Sequence, residues 1–174
     1  DPALAGAIVA AMDLESAVLV FVQVSTQDVA SAAALLVGVA GADLAAAGLL
    51  VVESAKVDLG IVAKALVSGA ADNPRVIGEI FVEAGKSDLA TTAGILLEAA
   101  SEDVSVTGRI LVEAGSADPI VTSQILLSAT ALNLTLAASI TVEASKSDPK
   151  ATGSILAAAA SADPTTVGSL LVSG

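Results

Sequence analysis

Two adjacent stretches of the chain decide its fold: DLATTAGILLEAASE (residues 88–102) and DVSVTGRILVEAGSA (residues 103–117). Each opens on Asp and runs for fifteen residues until the next Asp. Numbered from that Asp, positions 2, 5, 6, 8, 9, 10 and 12 are apolar or small, and most variable polar residues occupy positions 3, 7, 11 and 14. This spacing places the polar residues on one narrow face of a helix. Consecutive apolar residues at 95–97 break the alternation that a β-coil needs. The pattern therefore predicts one helix per repeat.

The same repeat covers the whole chain. Asp1 opens a shorter first unit, and we predict a single repeat domain over residues 1–174 with twelve units, which start at residues 1, 13, 28, 43, 58, 73, 88, 103, 118, 133, 148 and 163. A fixed period of this kind is typical of a stack of one supersecondary unit, in which each unit buries its apolar face on its neighbours.

The first residue of each unit is predicted to cap a helix, because its side-chain oxygen can accept a hydrogen bond from the first turn and a carboxylate suits the positive end of the helix dipole. Besides Asp1, the predicted caps are Asp13, Asp28, Asp43, Asp58, Asn73, Asp88, Asp103, Asp118, Asn133, Asp148 and Asp163. All five prolines directly follow such a residue, where their missing N–H costs nothing. Gly, Ala and Ser at positions 13 and 14 favour helix ends, so we expect helices of about 11 residues, roughly 16 Å long.

A second period of thirty residues overlays the first. Alternate units share the motif VES or VEA, at residues 52–54, 82–84, 112–114 and 142–144. Adjacent helices therefore occupy two environments, and we predict an all-α solenoid in which helices pair into 30-residue antiparallel hairpins. Position 6 is Gly, Ala or Ser in every unit except the second, which has Val18. This indicates that a neighbouring backbone passes close to position 6.

Composition excludes several functional classes. The chain has a formal net charge of −12 and no His or Cys. Nucleic-acid binding needs a basic surface, which is missing here. We find no catalytic, cofactor-binding or metal-ligating motif and expect a non-enzymatic protein without a cofactor. The uncharged run at 119–142 contains polar residues and a predicted cap, Asn133, so it predicts two short helices and no transmembrane span.

Three residue series have an alternative interpretation. The Asp series resembles a calcium site, but calcium loops need several oxygen ligands in one loop, and each turn here supplies one or two, so we expect caps. The second series is the glutamate row Glu53, Glu83, Glu113 and Glu143. It could be a track that binds a cation or a partner. We favour a solvated helix face whose glutamates pair locally with Lys56, Lys86, Arg109 and Lys146. The third series consists of Thr92, Thr107, Thr122 and Thr152. These residues could form an ice-binding array on the surface. We favour hydroxyl groups that bond to backbone carbonyls one turn earlier in the same helix.

The two ends of the array are unusually apolar. Terminal repeats of soluble solenoids normally carry a polar outer face, yet the last unit keeps an interior-like apolar run at 170–172 and the second unit has one at 19–22. The predicted assembly residues at the ends are Leu19, Phe21, Leu170, Leu171 and Val172. We expect a structural or interaction scaffold, extracellular or on the cell surface, that binds itself head to tail or forms part of a longer array. The alternative is a coat on ice or another apolar surface.

Overall fold

A computed structural model describes residues 1–174 and confirms the all-α solenoid. Twelve helices follow one another without a strand: α1 (Pro2–Ala10), α2 (Leu14–Gln27), α3 (Val29–Ala42), α4 (Leu44–Val57), α5 (Leu59–Asp72), α6 (Pro74–Ser87), α7 (Leu89–Glu102), α8 (Val104–Ala117), α9 (Pro119–Leu132), α10 (Leu134–Ser147), α11 (Pro149–Ala162) and α12 (Pro164–Ser173). The uncharged run at 119–142 falls on α9 and α10, with Asn133 between them, as predicted.

The helices are longer than predicted. Helices α2 to α11 each have 14 residues, which makes each about 21 Å long. The small residues at positions 13 and 14 do not end them, because no glycine adopts the positive φ of a left-handed helix cap. Three residues link α1 to α2, and a single residue links each later pair of consecutive helices, as at Asp103 with φ −154° and ψ 103°.

That single linking residue belongs to both helices. The backbone N–H of Asp103 donates to the carbonyl of Ala99 at 2.9 Å and completes α7. Its Oδ1 accepts from the N–H groups of Ser105 and Val106 at 2.9 and 3.0 Å, at the start of α8. The turn is short because one residue satisfies groups on both sides of it.

Asn73 departs from this arrangement. It occupies the linking position before α6, but its side chain accepts no hydrogen bond from the first turn. Its backbone differs too, with φ −132° and ψ 56°. The residues that directly precede the other helices from α2 onward have ψ values from 89° at Asp163 to 150° at Asp13, nearer to the extended backbone that is typical of an N-cap residue. Asn73 therefore marks the start of α6 without the side-chain cap that its position predicts.

The odd-numbered helices form one layer and the even-numbered helices form the other. Every helix except α2 packs most extensively on a helix two places along the chain, and all of them also contact neighbours in the opposite layer. A continuous hydrophobic core between the layers runs from Val9 to Leu170. Its largest residues, Phe21 and Phe81, are buried, and Ala, Val, Ile and Leu fill nearly all the rest.

Close packing within a layer depends on position 6. A Cβ atom added to Gly48 or Gly78 would lie 2.7 Å from the backbone nitrogen of Ala84 or Ala114, respectively. This confirms the predicted close approach of a neighbouring backbone. Position 6 of one helix thus lies against positions 11 and 12 of the next helix in its layer, an arrangement that we call the layer register.

Candidate assembly surfaces

The first and last helices each expose one side of the helix–helix interface that is buried in the interior of the array. At position 8, Ile8 of α1 is 57% exposed, whereas Ile95 of α7 is fully buried. At position 9, Leu171 of α12 is 60% exposed, whereas Leu96 of α7 is 1% exposed. Position 8 therefore faces the preceding helices and position 9 the following ones. Each end of the array lacks the neighbour that would cover one of these positions.

Two further residues enlarge these end faces. Leu4 lies one turn before Ile8 on α1 and is 63% exposed. Val172 follows Leu171 on α12 and is 90% exposed. We define the N-terminal face by Leu4 and Ile8 and the C-terminal face by Leu171 and Val172. Large apolar side chains in water at both ends are typical of surfaces that bind another protein.

Of the residues predicted at the ends, Phe21 and Leu170 lie in the core. Phe21 is at position 9 of α2, which faces the following helices, so it is buried at 0% exposure. Leu170 is at position 8 of α12, which faces the preceding helices, so it is 2% exposed. Sequence reasoning missed Leu4 and Ile8, although position 8 is apolar in every unit and a comparison of that position would have drawn attention to Ile8.

Leu19 is exposed but does not lie on an end face. It is 65% exposed and lines a cleft of about 500 Å³ together with Val18 and Val57. The cleft separates α2 from α4, which pack less extensively than the interior neighbours α4 and α6, α6 and α8, and α8 and α10. Val18 stands here at position 6, where the other units have Gly, Ala or Ser.

The glutamate row is a solvated face, as predicted, with one exception. Lys56, Lys86 and Lys146 lie 2.7, 2.7 and 2.6 Å from the glutamate three residues earlier. The hydrogen bond that Lys56 Nζ donates to Glu53 Oε1 raises the pKa of Lys56 above its ordinary value. Exposed pairs of this kind contribute only a few tenths of a kcal/mol each. The row therefore has its own counter-ions at three of its four positions.

The exception is Arg109, which does not pair with Glu113. Its Nη2 donates to the carbonyl of Ala70 at 2.8 Å and links α8 to α5. Its buried Nε has no hydrogen-bond partner. Arg109 thus connects the two layers, and the local spacing of three or four residues did not determine its partner.

The threonine series lies inside the array. Thr92, Thr107 and Thr122 are fully buried and Thr152 is 2% exposed. The Oγ1 of Thr107 donates to the carbonyl of Asp103 at 2.8 Å, and the other three make the equivalent bond. The predicted bonding to the preceding turn is confirmed, and these hydroxyls form no array on the surface.

Other candidate sites have no structural counterpart. No group of three or more Asp or Glu side chains is placed to hold a metal ion. None of the helices combines the length and the apolar character that crossing a membrane requires. Comparison with known proteins finds no match among family models, curated proteins or solved structures. The two end faces therefore remain the strongest candidate functional surfaces.

Proposed function

We propose that this chain is a non-enzymatic structural protein that binds copies of itself head to tail and builds a filament. The observation that supports the proposal is the exposure of Ile8 and Leu171 at positions that are buried in the interior of the array. The N-terminal face of one copy offers position 8, and the C-terminal face of another offers position 9. Bringing the two faces together would restore the packing that holds the interior helices to each other.

The energetics favour such a contact. Complete burial of a Leu or Ile side chain stabilises a structure by about 1.5–3 kcal/mol, and four large apolar residues would lose water at each junction. The two faces are different surfaces, so their contact is heterologous and need not close into a ring. A contact that does not close propagates into a fibre. Further repeats in a longer polypeptide would cover the same faces through the same packing.

Sedimentation velocity over a range of concentrations tests the proposal. We expect the 174-residue chain to form larger species as its concentration rises, and negative-stain microscopy to show thin filaments. The variant Leu171→Lys places a charge on the C-terminal face and is expected to abolish growth while the helical content stays unchanged. The proposal fails if the unmodified chain remains a monomer at high concentration.

A matched control separates the end face from exposed apolar residues in general. Leu132 is 64% exposed, close to the 60% of Leu171, but it lies at the end of α9 within the array. Leu132→Lys is expected to assemble like the unmodified chain. Equal loss of assembly in both variants would point to nonspecific aggregation and would contradict the proposal.

The proposal includes a location outside the cell or on its surface, where a filament would serve as a scaffold. Antibody labelling of intact cells tests the location. Labelling only after permeabilisation would contradict it and would leave the assembly proposal standing.

A further inference from the structure

The terminal glycines indicate how two copies would join. In the interior, the layer register places a glycine of one helix against the backbone of the next helix in its layer. Gly48, Gly78 and Gly108 are buried in this way, and a Cβ atom on any of them would come within 3 Å of that backbone. These contacts recur every thirty residues and connect α4, α6, α8 and α10.

At the C-terminal end of the array, no neighbouring backbone packs on the glycine at position 6. Gly153 of α11 and Gly168 of α12 occupy position 6 of the last helix in each layer, and both are exposed. A Cβ atom on either would meet nothing within 4 Å. Glycine inside a helix is less stable than alanine because it loses more backbone entropy. The interior glycines at position 6 offset that cost by close packing on a neighbouring backbone, but no such contact offsets it at Gly153 and Gly168.

At the N-terminal end the complementary positions are open. Positions 11 and 12 are Ala11 and Met12 in the first unit and Gln23 and Val24 in the second. Ala11 and Gln23 are exposed, and Met12 and Val24 are half-buried. In the interior, position 12 is buried, and from α4 to α11 it is Ala, Gly or Ser, as at Ala84 and Ala114. At the last helices of the array, position 6 therefore lacks the backbone that would pack on it. At the first helices, positions 11 and 12 lack the glycine on which they would pack.

We infer that a second copy docks with the layer register unbroken, so that Gly168 receives Gln23–Val24 of α2 and Gly153 receives Ala11–Met12, which directly follow α1. The second copy then continues both layers as if it were the next two helices. This inference rests on the proposed function and adds the geometry of the junction.

Two features of the N-terminal residues fit this junction. A valine at position 12 is compatible with a glycine at position 6, because Val39 of α3 already packs on Gly6 of α1 through its backbone. Position 11 is Glu in the even-numbered helices α4 to α10 but neutral Gln23 in α2. A neutral residue there reduces charge repulsion between two copies that each carry a net charge of −12.

Leucine substitutions test the inference. Gly168→Leu fills the predicted contact, and we expect it to raise the dissociation constant for assembly by about tenfold or more. The melting temperature of the monomer should stay the same or rise slightly, because a Cβ atom at this position meets nothing within 4 Å and leucine favours a helix more than glycine does. The control is Gly94→Leu on α7, where a Cβ atom also meets nothing within 4 Å. We expect the control to assemble like the unmodified chain.

The outcomes separate the inference from the proposed function. If the unmodified chain and Gly168→Leu assemble equally well, the register is wrong and head-to-tail assembly stands. If the unmodified chain does not assemble, both are wrong. Loss of assembly in Gly168→Leu and in Gly94→Leu alike would also overturn the register, because the effect would not be specific to the end.

Discussion

Gly78 of α6 lies so close to Ala114 of α8 that a Cβ atom on Gly78 would stand 2.7 Å from the Ala114 nitrogen. Real Cβ atoms essentially never approach a backbone atom this closely, so the absence of a side chain sets the spacing between the two helices. The same contact joins α4 to α6 and α8 to α10. From α4 to α10, the helices of the even-numbered layer therefore pack with their backbones in direct contact.

Replacing glycine by alanine should lower the free energy of unfolding where a neighbouring backbone is close and raise it where the space is open. Gly78→Ala forces α6 and α8 apart, and we expect it to destabilise the fold by about 1–3 kcal/mol. Gly94→Ala adds a methyl group into open space and should stabilise α7 by up to about 1 kcal/mol. Urea unfolding followed by circular dichroism measures both. A stabilised Gly78→Ala variant would contradict the close packing.

Removing a capping side chain should cost stability only where the cap is made. Asp103→Ala loses the two hydrogen bonds to the first turn of α8, and we expect a loss of about 0.5–2 kcal/mol. Asn73→Ala is the matched control, because Asn73 makes no side-chain cap bond, and it should change stability by much less.

Calcium distinguishes a cap from a metal ligand at the same residues. We expect the melting temperatures of the unmodified chain and of Asp103→Ala to be unaffected by calcium or a chelator. Stabilisation by calcium that disappears in Asp103→Ala would show that the Asp series binds metal.

Acid should destabilise the fold through its caps. The N–H of Thr91 donates to Asp88 and holds the pKa of that carboxyl below its ordinary value of 3.8. Hydrogen bonds from their own first helical turns do the same for three other caps: Asp13, Asp28 and Asp163. Because the folded state binds protons more weakly, its stabilisation is complete above pH 3.8 and is lost as the pH falls through the lowered pKa values.

Thermal melts from neutral pH downward measure this effect, and Asp88→Asn is the control. Asparagine can accept the same cap hydrogen bond but does not titrate. The variant should lose less stability in acid than the unmodified chain. Equal acid sensitivity in both would show that the Asp88 cap does not contribute to it.

Salt should strengthen assembly. Each copy carries a formal net charge of −12, so copies repel one another, and the proposed junction is apolar. The screening length falls from about 30 Å at 0.01 M salt to about 3 Å at 1 M, which weakens the repulsion. Light scattering at fixed protein concentration should therefore rise with sodium chloride. A filament that dissolves as salt is added would indicate an ionic junction instead.

The local features of the fold could be predicted from the sequence because their causes are local. A cap such as Asp103 bonds to N–H groups two and three residues away, so its residue type and its period place the start of a helix. The prolines and the apolar pattern act over the same short distances. The packed backbone at position 6 was predictable for a related reason, since a recurring mid-helix glycine needs a compensating contact.

What only the tertiary structure decided was which neighbour each side chain meets. Helices extend to 14 residues because the linking residue bonds to both sides of its turn. Arg109 pairs across the layers with Ala70, thirty-nine residues away. Phe21 and Leu170 are buried while Ile8 and Leu171 are exposed, although all four are large and apolar. Their burial depends on whether a helix two places along the chain exists on the side they face, and that direction follows from the packing of whole helices.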